Sequence, residues 1–263
     1  MDRDRLRRIR NNQSTDWYPA VFMRPLCILV MLVIADWKFV TPNLLTHLGN
    51  ICKLAAAALI FVDDTTYTII AVALLQAGLL FDHLDGTMAR YRKAWSSFGS
   101  YYDKVSDAVT WFVIVMSVGW VAYRNSGDAM MLVLAATSAY ALLALGYMKW
   151  VAAAESNKAD WFRAIDAADE LVEAHTRPPK LSVPPERSGA EWAKWFAKSM
   201  LQIVRFEETD LFFWLGLCLI IGRVEVLLWV MAATQTLGVL IMLVQRGREV
   251  NRADQVIAPL RRD

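Results

Sequence analysis

Cysteine and histidine are scarce in this 263-residue chain, at three of each. Cys27, Cys52 and Cys218 stand singly in apolar runs, without pairing or metal-ligand spacing. That excludes a disulfide framework or a thiolate metal centre and leaves burial as their expected role. His47, His83 and His175 form no cluster either. The net charge of +2 is close to balance, and no nucleic-acid partner is expected. Internal repeats and low-complexity tracts are lacking. No cleavable signal peptide is expected, because the basic start runs into a long polar stretch without a small-residue cleavage site. Most telling is the lack of polar residues over long stretches.

Apolar residues make up 56% of the chain and gather in runs long enough to cross a hydrocarbon core of about 30 Å at 1.5 Å per residue. Six membrane spans are predicted, at 43–62, 66–90, 99–123, 129–152, 209–222 and 225–245; the fifth is short and borrows length from the residues before it. Trp37, Trp95, Trp111, Trp150 and Trp195 stand towards segment ends, as interfacial belts require. The fold class is therefore all-α, a polytopic membrane helical bundle. Five Arg in MDRDRLRRIR, five more after Val244, the basic loop RYRKAWSSF and eight Lys or Arg in 153–208 mark one side of the membrane. The opposite loops, VDDTT, RNSGD and GRVE, are short and poor in cations. Positive-inside counting places both termini, the 91–98 loop and the 153–208 insert in the cytosol, which needs an even number of spans. Residues 18–39 are apolar but carry Arg24, Pro25 and Asp36, and a seventh span would send the basic N-terminus outside. They read as an interfacial juxtamembrane helix. The expected organisation is a basic N-terminus and juxtamembrane helix (1–40), four spans (41–152), an amphipathic cytosolic insert (153–208), two spans (209–245) and a basic tail (246–263).

Against this apolar background, FDHLDGTMARYRKAWSSFGSYYDKVSD (81–107) carries two pairs of acids, Asp82/Asp85 and Asp103/Asp107. Asp82, Gly86 and Arg90 follow i, i+4, i+8 spacing, Asp85 and Ala89 follow i, i+4, and Gly99, Asp103 and Asp107 repeat the longer pattern. A short loop makes the two spans antiparallel neighbours, so the stripes can face each other near the cytosolic surface. An Asp at mid-bilayer costs roughly 2.5–3.5 kcal/mol, and four acids would repel one another. Bound cation relieves both costs, and an all-carboxylate site suits two Mg²⁺ or Mn²⁺ ions rather than Zn²⁺. Such a pair resembles the clamp of phosphoryl-type displacements. The small residues in the stripes leave room for a substrate or a neighbouring backbone. By contrast, Asp63 and Asp64 read as solvated loop acids and Arg92 and Lys93 as markers of the cytosolic side. His83 lies about 100° round the helix from Asp82 and is not expected as a ligand.

The same residues match D-x2-D-G-x2-A-R-x8-G-x3-D-x3-D without a gap, and the chain thereby resembles the CDP-alcohol phosphotransferase family. TPNLLT (Thr41–Thr46) is similar to the opening of that family's first span, and the likeness extends over most of residues 20–245. The resemblance implies an enzyme that moves a substituted phosphate from a CDP-alcohol to a hydroxyl acceptor, with CMP leaving. It implies that Asp82, Asp85, Asp103 and Asp107 hold two divalent metals, with Asp103 and Asp107 catalytic and Asp107 the general base. Gly86, Ala89, Arg90 and Gly99 would border the CDP moiety, and Asn43 and Thr46 would lie at its nucleotide end. The likeness also implies a homodimer, while the positive-inside count puts the active site on the cytosolic face of what is expected to be the cytoplasmic (inner) membrane.

The acceptor is less legible. Relatives that use a polyol phosphate carry a Y-x-R-A-R-A-E-like run, where this chain has GYMKWVAAAES: Tyr147 and Lys149 fit, Glu155 is displaced, and the second cation is missing. Lys149 reads as an acceptor contact or as a snorkelling interfacial lysine. Asp210, with Glu207 and Glu208, is a second candidate for a polyol acceptor. In the insert, Trp161, Ile165, Ala168 and Leu171 form one apolar stripe and Trp192, Trp195, Phe196, Met200 and Ile203 another, as in helices lying on a membrane surface or shaping an acceptor lid. CDP-diacylglycerol is the expected donor and a small polyol or polyol phosphate the acceptor, with a soluble CDP-alcohol as the alternative donor. An Mg²⁺-dependent prenyltransferase would need two acidic motifs far apart, and a cation transporter leaves Gly86, Ala89, Arg90 and Gly99 unexplained.

Overall fold

The computed structural model describes residues 5–6, 9, 18–62, 64–94, 96–166, 189–191, 194 and 208–257. Among them there are helices and no strands. After a π-helical turn at Pro19–Met23, α1 runs over Arg24–Ile34, α2 over Pro42–Ile60, α3 over Thr65–Arg92, α4 over Ser97–Ser126, α5 over Met130–Asp166, α6 over Glu208–Ile221 and α7 over Val224–Ile257. Five of these, α2, α3, α4, α5 and α7, contain stretches long and apolar enough to cross a membrane. Helix α6 has 14 residues, about 21 Å, and falls short of a full crossing within the described residues. The chain is a polytopic helical membrane bundle.

The helix starts follow from local chemistry. Thr41 caps α2 by accepting from the Leu44 N–H, with Pro42 in the first turn, where a missing N–H costs nothing. Asp64 caps α3 by accepting from the Thr66 and Tyr67 N–H groups, and Ser96 caps α4 by accepting from that of Gly99. Helix α3 ends on Lys93 in the left-handed region, φ 54°, and only a short link separates it from α4.

The π turn and α1 have five and eleven residues, about 24 Å together, short of the ~30 Å core. Cys27, Met31 and Ala35 at i, i+4, i+8 pack on Leu84 and Met88 near the end of α3, while Leu26, Leu29 and Val33 stay exposed, an apolar face suited to lipid. The Arg92 guanidinium closes this junction. It donates to the carbonyls of Ala35 (2.9 and 3.0 Å), Trp37 (2.7 Å) and Val40 (2.6 Å) at the end of α1 and in the link to α2. Arg92, read as a marker of membrane side, thus also holds the juxtamembrane segment.

Two compact units divide the chain, one of Met1–Ala139 with Pro184–Thr234, the other of Tyr140–Val183 with Gln235–Asp263. In the first unit α2 packs along α3 and also on α4, and α6 packs on α3. The α2–α3 crossing is close because Gly49 and Gly78 meet there: a Cβ on either would lie 3.2 Å from the other's carbonyl oxygen. In the second unit the later part of α5 continues to Asp166, well past the predicted end of the fourth span at 152, through alanine-rich sequence with no helix breaker. The stripe expected at Trp192, Trp195, Phe196, Met200 and Ile203, the Ala168–Leu171 end of the first stripe, Asp63, Trp95 and Glu207 lie outside the described residues.

Candidate active site

Three helices of the first unit bring their polar faces together. Helix α3 supplies Asp82 and Asp85 in its last turns, α4 supplies Asp103 and Asp107 in its first, and α2 supplies Thr46, Asn50 and Lys53 from one face at i, i+4, i+7. Carboxylate oxygens of Asp82, Asp103 and Asp107 all lie within 4.8 Å of one another, close enough to share a cation. Asp85 stands outside this group; its Oδ2 accepts from the Thr46 hydroxyl at 2.5 Å. His83 also lies outside it.

Lys53 joins the site without having been read from the sequence. Its side chain is 1% exposed, and Nζ donates to Asp107 Oδ1 at 2.7 Å and to Asp82 Oδ1 at 3.1 Å. The Phe212 ring of α6 faces the ammonium at 5.6 Å. The stem passes over Gly78, where a Cβ would come within 2.9 Å of Lys53 Cγ. One signal was available: Lys53 is a lone cation in the apolar run LGNICKLAAAAL, two turns beyond Thr46. Its partners come from positions 29 and 54 residues away, which spacing within one helix does not reveal.

The small residues border open faces of the site. The Arg90 guanidinium folds back over Gly86, where an added Cβ would touch it at 3.4 Å, and donates to the Thr87 hydroxyl at 3.3 Å. At Gly99 a Cβ would lie 2.8 Å from Ser96 Oγ and 3.0 Å from Asn43 Oδ1, so Gly99 lets the start of α2 reach the start of α4. Ala89 sits in the final turn of α3, its carbonyl accepting from the Ala94 N–H. The Tyr102 hydroxyl, on α4, is 2.8 Å from His47 Nδ1 and receives a longer contact of 3.5 Å from Asn50 Nδ2. Asp210, at the start of α6, is buried. Lys149 is exposed on the part of α5 that belongs to the second unit.

The donor set fits hard divalent cations. Three clustered carboxylates offer only oxygen, and a buried ammonium resting on two of them shows that the pocket stabilises positive charge. Asp82, Asp103 and Asp107 would hold an ion directly, with Asp85 beside them.

A family model described as CDP-alcohol phosphatidyltransferase matches residues 39–172, just over half of the chain. No curated protein sequence matches. Among solved structures, the crystal structure of Mycobacterium tuberculosis phosphatidylinositol phosphate synthase (PgsA1) with CDP-DAG bound is similar, with a TM-score of 0.51 and 19% identity over 87% of this chain and 93% of that one. At that identity the likeness concerns the fold.

Proposed function

The chain belongs to the CDP-alcohol phosphatidyltransferase family, and from that premise we propose that it transfers a phosphatidyl group from CDP-diacylglycerol to a small polyol or polyol-phosphate hydroxyl, releasing CMP. It is a multi-pass membrane transferase of substituted phosphate groups, in phospholipid biosynthesis. The observation that carries the finer reading is the convergence of Asp82, Asp103 and Asp107, within the matched region, on one small volume. A bound lipid nucleotide in the structurally similar mycobacterial synthase supports the choice of donor.

Bound Mg²⁺ or Mn²⁺, two ions in our reading, would neutralise the pyrophosphate and the departing CMP oxygen. The chain's own residues do the rest. Asp107 takes the proton of the acceptor hydroxyl as it attacks phosphorus, with Asp103 beside it in the same carboxylate group. Arg90, folded over Gly86, presents paired N–H donors to phosphate oxygens. Gly86, Ala89 and Gly99 keep the walls low enough for the nucleotide, and Asn43 and Thr46 border its far end. Thr46 also fixes the orientation of Asp85 through their hydrogen bond. For the acceptor we propose Asp210 as a hydroxyl contact. The basic loops favour a cytosolic site in the inner membrane, and a homodimer is the proposed assembly.

The test is CMP release by purified protein with Mn²⁺, first with CDP-diacylglycerol and a panel of polyols and polyol phosphates, then with soluble CDP-alcohols and lipid acceptors. Release with CDP-diacylglycerol and one polyol class is expected. Release only with a soluble donor would replace the proposed donor, and none with any pair would remove the proposed reaction.

A further inference from the structure

We propose that Lys53 is a built-in cation of the carboxylate site, one that limits it to a single divalent ion until the nucleotide arrives. The inference rests on the metal-dependent transferase reading and assigns a role to a residue outside the aspartate motif. Lys53 is placed for it by three independent features. Its ammonium bridges Asp82 and Asp107, the one acid from α3 and the other from α4, at 3.1 and 2.7 Å. Its stem is confined at the tight α2–α3 crossing, since a Cβ on Gly78 would meet Lys53 Cγ at 2.9 Å. Its burial, at 1% exposure, gives the charge no route to solvent.

Charge balance then orders the binding events. Asp82, Asp85, Asp103 and Asp107 formally carry four negative charges, and Lys53 with Arg90 carries two positive ones. One divalent cation neutralises the remainder. A second, with no nucleotide present, would leave the low-dielectric site with an uncompensated excess of two positive charges, close to Lys53. The esterified pyrophosphate of a CDP-alcohol brings two negative charges, so the second ion can enter with it. Lys53 thereby couples metal loading to donor binding, and the fully charged two-ion site forms only around its substrate.

The full chain in detergent micelles tests this by equilibrium dialysis against Mn²⁺, with bound ion counted by electron paramagnetic resonance. CDP serves as the probe, since every candidate donor contains it. Wild type is expected to hold one Mn²⁺ per chain without CDP and two at saturating CDP. Lys53→Met is expected to hold two without CDP, the second at least about tenfold more tightly than wild type, because a like charge within a few ångströms has gone. Lys53→Arg, which keeps the cation, is expected to count as wild type. Two ions in wild type without CDP, or a Lys53→Met count identical to wild type, would overturn the role of Lys53 while leaving the transferase reading intact. Absence of Mn²⁺ binding with and without CDP would overturn both. If Lys53→Met does not fold, Lys53→Gln, which also removes the charge, takes its place with the same expected and refuting counts.

Discussion

Substituting alanine at Gly78 probes how tightly helix packing and the site are joined. The new Cβ would stand 2.9 Å from Lys53 Cγ and 3.2 Å from the Gly49 carbonyl oxygen. Ordinary contacts need about 3.5–4.0 Å, so α2 and α3 must separate by roughly half an ångström or the lysine stem must turn. Either change lengthens the Lys53–Asp82 contact, now 3.1 Å, beyond hydrogen-bond range. Alanine gains about 1 kcal/mol over glycine inside a helix, and overpacking costs about 1–3 kcal/mol. The net is a loss of up to about 2 kcal/mol. Gly238→Ala provides the control, because its Cβ would meet Leu145 Cδ1 at an ordinary 3.7 Å and only the gain of about 1 kcal/mol remains. Thermal unfolding in detergent reads both, at about 2–4 °C per kcal/mol for a chain of this size. Gly78→Ala should melt at or below wild type, with Mn²⁺-dependent CMP release reduced severalfold, and Gly238→Ala should melt above wild type at full activity. A Gly78→Ala protein as stable as Gly238→Ala, with wild-type turnover, would refute the packing argument.

Other perturbations follow from single contacts. Arg92→Ala should destabilise the juxtamembrane junction by about 1.5–3 kcal/mol through loss of charge-assisted bonds to Ala35, Trp37 and Val40, seen as faster amide exchange over residues 35–40; unchanged exchange would argue that water replaces the guanidinium without loss. Thr46→Val keeps the side-chain shape but removes the donor to Asp85, so CDP affinity measured by calorimetry should fall about fivefold or more, and equal affinity would remove Thr46 from the site. Chelation should abolish CMP release, with recovery on adding Mg²⁺ or Mn²⁺ but not Zn²⁺; activity that survives exhaustive chelation would contradict the metal-dependent reading, and recovery with Zn²⁺ the preference for hard cations.

The site was partly legible because helical spacing is local. Asp82 and Asp85 on one helix and Asp103 and Asp107 on the next needed only a short loop to bring them together, and the structure places three of the four within 4.8 Å. What spacing could not show is which oxygen faces which neighbour: Asp85 turns to Thr46, a partner 39 residues away. Lys53 escaped for a related reason, since its partners lie on two other helices and a lone cation in an apolar run does not reveal them. The end of a span and the end of its helix need not coincide, because hydropathy and helicity part company. The fourth span was bounded at 152, where apolar sequence gives way to charge, yet α5 continues to Asp166 because its residues still favour helix. Glycine pairs such as Gly49 and Gly78 were also invisible singly, as each acquires meaning only from the other's backbone.

The most direct test is CMP release by Asp107→Asn measured beside its CDP binding. If the clustered carboxylates carry the transfer and Asp107 removes the acceptor proton, turnover should fall by about 10²–10⁴-fold or more while CDP still binds the folded protein. An Asp107→Asn protein that releases CMP at the wild-type rate would contradict that assignment.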